Sequence, residues 1–192
     1  ESACAADLND DGNLDIVCGE YWFEGPDFKT THKMCSLLAT SDYHDDFGVY
    51  PMDVDGDGWV DIVSGGWFGE KLTWRKNPKG EPVEWEVCLI AKVGNIERPC
   101  FWDLDADGYA EIIPNMPSGP LIAFKLVRDG DGKGTGEFKR YEISGKSQGH
   151  GLGFGDINGD GRGDLIVSNG WYESPEKVFE QEWKWHPDFN FS

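Results

Sequence analysis

One motif, repeated four times without a gap, restricts what this chain can fold into more than any other feature. It reads Asp7-Leu-Asn-Asp-Asp-Gly-Asn-Leu-Asp15, Asp53-Val-Asp-Gly-Asp-Gly-Trp-Val-Asp61, Asp103-Leu-Asp-Ala-Asp-Gly-Tyr-Ala-Glu111 and Asp156-Ile-Asn-Gly-Asp-Gly-Arg-Gly-Asp164. The starts lie 46, 50 and 53 residues apart. A short apolar run comes after each: Ile16-Val17-Cys18, Ile62-Val63, Ile112-Ile113 and Leu165-Ile166-Val167. Aromatic residues then recur as Tyr21-Trp22-Phe23, Trp67-Phe68 and Trp171-Tyr172, while the third repeat has Asn115-Met116-Pro117 in that place. A period of this length marks a chain assembled from equal supersecondary units.

Each unit reads as four short strands. In the second they fall near Gly48–Met52, Trp59–Ser64, Lys71–Lys76 and Glu84–Ile90, the last two alternating with period two as in Lys71-Leu72-Thr73-Trp74-Arg75. Helical periodicity is absent, and 26 Gly and 10 Pro punctuate the 192 residues. The expected fold is all-β: a β-propeller of four-stranded antiparallel blades, with blades at about 1–41, 42–92, 93–145 and 146–192 of one propeller segment.

The repeated loop has the chemistry of a calcium site. A hard cation takes several oxygens, mostly anionic, from a loop that turns sharply. Positions 1, 3 and 5 offer side-chain oxygens from Asp7, Asn9 and Asp11; Asp53, Asp55 and Asp57; Asp103, Asp105 and Asp107; and Asp156, Asn158 and Asp160. Position 6 is Gly throughout, which lets the backbone fold around an ion. Position 7 (Asn13, Trp59, Tyr109, Arg162) can give a backbone carbonyl, and position 9 (Asp15, Asp61, Glu111, Asp164) a closing carboxylate. An EF-hand is rejected, because position 12 holds Cys18, Ser64, Pro114 and Val167 rather than Glu, and strands rather than helices flank the loops. A solvated Asx-turn without metal is the alternative for any single loop; four in register favour calcium, about one ion per blade.

This reading explains the composition. The formal charge is −19, and the proposed ligands include three, four, four and three carboxylates in the successive loops, fourteen in all. Four divalent ions would bring −19 to −11. Nucleic acid is excluded as a partner by repulsion from its phosphates. Aromatic residues make up 14% of the chain, with nine Trp, which sets it apart from disordered acidic tails. No apolar run reaches about 18 residues, so no membrane insertion is expected. The first residues lack the basic start and apolar centre of a signal peptide, and the expectation is that the sequence begins inside a repeat. A secreted, periplasmic or cell-surface location is expected, with the five cysteines leaving a cytoplasmic one open. Those cysteines (Cys4, Cys18, Cys35, Cys88 and Cys100) read as buried free thiols, a Cys4–Cys18 disulfide remaining open.

The repeats resemble those of the FG-GAP or VCBS family, whose blades resemble integrin α-subunit propellers. The resemblance implies that the metal loop joins the innermost strand to the second. It also implies a usual ring of seven blades, of which the four here are expected to form a part, a small complete ring being the alternative. Open blade edges would then invite self-association or contact with another domain of the same polypeptide. On the face opposite the loops this strand order gathers Asp45, Asp46, Glu97, Arg98 and His150 from inner-strand starts, and Glu20, Trp67, Asn115, Asn169 and Trp171 from second-strand ends. Such a mouth suits a polar ligand such as a sugar. A narrower resemblance, carried by residues 150–175, is to the propeller domain of fungal aldos-2-ulose dehydratases. It implies a keto-sugar lyase in which His150, set among Gly149, Gly151 and Gly153, is the base, with Glu97 tuning it. Three functions stand: a calcium-binding carbohydrate-binding propeller, which the sequence favours; a sugar dehydratase fragment; and a structural or adhesion propeller.

Overall fold

The computed structural model describes residues 2–190. The outermost residues of the first and last expected blades, Glu1 and Phe191–Ser192, lie outside that range. Eighteen strands and no helix occur among the described residues. Sixteen of the strands form four four-stranded antiparallel sheets, in each of which neighbours in sequence are neighbours in the sheet.

The first sheet holds β1 (Ala3–Ala6), β2 (Asp15–Cys18), β3 (Tyr21–Phe23) and β4 (Thr31–Lys33). A two-residue ribbon not foreseen from the sequence comes next, β5 (Ala39–Thr40) with β6 (Tyr43–His44). The second sheet holds β7 (Gly48–Met52), β8 (Asp61–Gly65), β9 (Lys71–Lys76) and β10 (Glu86–Lys92). The third holds β11 (Arg98–Trp102), β12 (Glu111–Asn115), β13 (Pro120–Arg128) and β14 (Gly134–Ser147). The fourth holds β15 (Gly153–Gly155), β16 (Asp164–Val167), β17 (Gly170–Glu173) and β18 (Lys184–His186). These are the blades of a β-propeller fold, and in every one the acidic motif connects the first strand to the second.

The second strands of blades two and three are covered on both sides, whereas that of blade one is buried on one side only. Ile62, Val63, Ile112, Ile113 and Leu165 are fully buried. A strand enclosed in this way reads as a continuous apolar run, like those that succeed the second and third acidic loops.

The chain divides into two compact units. One comprises residues 1–99 and 126–138, the other 100–125 and 139–192. The first has a core of Leu8, Val17, Trp22, Met34, Ile62 and Trp85. In the second, Leu104, Ile113, Leu121, Leu165, Tyr172 and Trp183 pack together. None of the five cysteines is in a disulfide; Cys35 and Cys100 are buried as expected, whereas Cys18 is exposed. Cys4 and Cys18 do lie on neighbouring strands, but Cys4 faces Val17 and Cys18 faces Ala3, so the two are out of register with one another.

Candidate functional site

The four acidic loops fold alike because their side chains replace the backbone partners that a tight turn cannot supply. The carboxylate at position 1 accepts from the amide at position 6 in every loop: Asp7 from Gly12 (2.9 Å), Asp53 from Gly58 (3.1 Å), Asp103 from Gly108 (2.8 Å) and Asp156 from Gly161 (2.9 Å). Position 5 accepts from position 7: Asp11 from Asn13, Asp57 from Trp59, Asp107 from Tyr109 and Asp160 from Arg162. The position-6 glycines take φ of 85°, 91°, 92° and 88°, which non-glycine residues rarely adopt. Position 4 is left-handed as well, through Asp10, Gly56, Ala106 and Gly159.

Position 9 is a buried staple. Asp15, Asp61, Glu111 and Asp164 are at most 1% exposed. One oxygen of each accepts from the amide at position 2: Leu8, Val54, Leu104 and Ile157. The other reaches the third strand's exit, at the amides of Gly25, Asn77 and Ser174 in blades one, two and four. In blade three Lys125 Nζ replaces that amide, 2.9 Å from Glu111. Burial pushes the carboxyls of Asp61 and Glu111 up to about 7, and that of Asp15 in the same direction. Carboxylate oxygens of Asp53, Asp55 and Asp57 converge within 4.8 Å of one another, as do those of Asp103, Asp105 and Glu111. Such oxygen-only clusters suit a hard divalent cation.

The expected mouth is different. Three of its acids, Asp45, Asp46 and Glu20, are taken up by internal bonds. Asp45 accepts from the amides of Phe68 and Gly69 at 2.8 and 2.7 Å. Glu20 accepts from the amide of Leu37 at 2.7 Å. Asp46 is fully buried and paired with Arg75 at 3.1 Å. Trp171 is not at a second-strand end: Gly170, at φ 149°, closes a tight turn from Val167 that puts Trp171 in the third strand. There it is buried, stacked 4.1 Å from His186 and bonded to Asp188, so it offers no open platform. His32 and His186 lie in outer strands, stacked on Trp22 and Trp171. His150 is exposed, and it belongs to the second compact unit while Glu97 belongs to the first, so neither unit contains both.

The second unit has a cleft of about 660 Å³. Its walls come from β14 (Ser144, Lys146), β17 (Tyr172) and the approach to and start of β18 (Glu182, Lys184, Trp185). Tyr172 donates its hydroxyl hydrogen to Ser144 at 2.8 Å, and its ring lies 4.7 Å from the half-buried indole of Trp185. Lys146 Nζ stands 5.7 Å from the centroid of that indole. Sequence reading missed the cleft, since its members lie about 40 residues apart in the chain; the alternation Trp183-Lys184-Trp185 was the one local signal.

The description "FG-GAP-like repeat" matches residues 53–113, and "FG-GAP repeat" matches residues 149–176. A comparison with curated proteins returned no match. Among solved structures the chain is similar to an Agrocybe aegerita lectin described as recognising non-reducing terminal N-acetylglucosamine. The TM-score is 0.58 and the identity 20%, over 98% of this chain and 53% of that one. The chain thus spans about half the length of that lectin. The first match takes in the second and third acidic loops and the other the fourth, and the four blades share one strand order: the chain carries FG-GAP-type repeats on a β-propeller fold.

Proposed function

We propose that this chain is a calcium-braced carbohydrate-binding unit, with about one ion per acidic loop and a sugar seated in the cleft between β14 and β18. The observation that carries the reading is the make-up of the cleft. A saccharide has apolar C–H faces and a rim of hydroxyls, so it needs an aromatic surface beside converging donors and acceptors. Trp185 supplies the first. Ser144, Tyr172, Lys146, Glu182 and Lys184 supply the second, in a volume that suits one or two sugar rings. The similar lectin's ligand, N-acetylglucosamine, makes amino sugars the first probes. The loops fit calcium through the oxygens at positions 1, 3 and 5, and the buried staple at position 9 would fix the ion's cage to the third strand.

The test is isothermal titration with N-acetylglucosamine oligomers in calcium buffer, comparing wild type with Trp185→Ala and Glu182→Gln. Glu182 is exposed, so its substitution leaves folding intact. A loss of affinity of about tenfold or more in both variants, at wild-type melting temperature for Glu182→Gln, supports the cleft. Unchanged affinity in both variants removes the cleft from the account.

A further inference from the structure

The strand registers identify one position per blade on the third strand. It immediately succeeds the residue that pairs with the second residue of the second strand: Ile16↔Phe23, Ile62↔Arg75, Ile112↔Phe124 and Leu165↔Tyr172. The residues there are Glu24, Lys76, Lys125 and Glu173. They divide the blades into two kinds, and position 3 of the acidic loop divides the same way. Blades two and three pair a lysine with Asp55 or Asp105; blades one and four pair a glutamate with Asn9 or Asn158.

The side chains obey this division. Lys125 Nζ lies 2.8 Å from both oxygens of Asp105, 2.7 Å from Asp107 and 2.9 Å from Glu111. Lys76 Nζ bonds Asp55, and Lys79 Nζ stands 3.6 Å from Asp57 in the same loop. The two glutamates face outward instead, with Glu24 bonding His32 at 3.0 Å and Glu173 bonding His186 at 2.7 Å. Carboxylates at positions 1, 3, 5 and 9 number three in blades one and four and four in blades two and three. The lysine at the shared position offsets that extra carboxylate in blades two and three.

We infer that Lys76 and Lys125 are resident cations of the second and third loops. Each ammonium takes a place among the carboxylates that a metal would take, so the charge of these two loops is partly offset by the chain itself. A divalent ion enters them only by displacing the ammonium. The first and fourth loops have no cation from this position; in the fourth, Arg162 of position 7 bonds Asp160 instead, so on the calcium reading the first loop is the site of highest affinity. The electrostatic basis is simple: clustered carboxylates repel one another until a cation sits among them, and a tethered ammonium supplies that charge without loss of translational freedom.

The experiment uses the whole chain as wild type, Lys125→Met and Lys125→Met/Asp105→Asn, the last rebuilding the pairing of blades one and four. Melting is measured in chelator and in millimolar calcium, with calcium titrations beside it. The inference expects Lys125→Met to melt several degrees lower than wild type in chelator and alike in calcium. It expects the double variant to recover most of the loss in chelator, and calcium affinity at one site to rise about tenfold in Lys125→Met. A Lys125→Met variant that melts as wild type in chelator, or four equivalent calcium sites in wild type unchanged by the substitution, overturns it. Should wild type take up no calcium while Lys125→Met still melts lower in chelator, the resident cation stands and the calcium reading of the other loops falls. If Lys125→Met is unfolded in chelator and folds on adding calcium, the inference is likewise supported.

Discussion

Asp46→Ala separates a structural role from a ligand-facing one more sharply than any other substitution in the second blade. The sequence places Asp46 on an open mouth; the structure buries it completely beside Arg75, itself 1% exposed. Arg75 donates to Asp46 and to the Ser64 hydroxyl, each at 3.1 Å, and to the Gly19 carbonyl at 3.2 Å. Ser64 donates to the same Asp46 oxygen at 2.7 Å. Removing the carboxylate leaves a guanidinium in the core without its counter-charge. One-sided loss of a buried, hydrogen-bonded pair costs about 3–5 kcal/mol. At roughly 2–4 °C per kcal/mol for a chain of this size, the melting temperature should fall on the order of 6–20 °C. Differential scanning fluorimetry with urea titration measures it. The double variant Asp46→Leu/Arg75→Met, which removes both charges, should recover most of the loss. An Asp46→Ala protein that melts as wild type but no longer binds its ligand would refute the assignment.

The loops carry two more expected outcomes. Ala106 is held at φ 58°, where a side chain is strained, so Ala106→Gly should raise stability by about 0.5–1 kcal/mol in urea titrations, while Gly12→Ala should lower it by at least as much. In chelator, stability should fall as pH rises from about 5 to 8. Burial holds the Asp61 and Glu111 carboxyls up at about 7, above their unfolded values of 3.8 and 4.5, so the stability they contribute is present at low pH and lost as pH rises through 7. Melts across that range should flatten on adding calcium, which favours the ionised form; a chelated protein that gains stability over the range contradicts the assigned burial.

The blade pattern was legible because the acidic motif and the apolar run after it repeat in register, and a repeated signal outweighs the ambiguity of any single short strand. Strand ends were less so. The second strand of blade two begins at Asp61 rather than Trp59, because Trp59 still bonds Asp57 and the Val60 carbonyl accepts from the Asn77 side chain. Its fourth strand runs to Lys92 past a bulge between Leu89 and Ala91 that local alternation does not reveal. Trp171 was misplaced because Gly170 makes the turn into β17 shorter than the aromatic pattern suggests. The fates of Asp45, Asp46 and Glu20 could not be read at all, since their partners Phe68, Arg75 and Leu37 lie 17 to 29 residues away. Lys125 was invisible for the same reason: it lies 14 to 20 residues from the loop carboxylates it joins.

The most direct test of the account is a crystal structure of the protein grown in calcium and soaked with an N-acetylglucosamine oligomer. The account predicts metal density within the first and fourth loops, ringed by oxygens of Asp7, Asn9 and Asp11 and of Asp156, Asn158 and Asp160, and a sugar ring against Trp185 in the β14–β18 cleft. Metal-free loops at millimolar calcium, or a sugar bound away from Trp185, would contradict it.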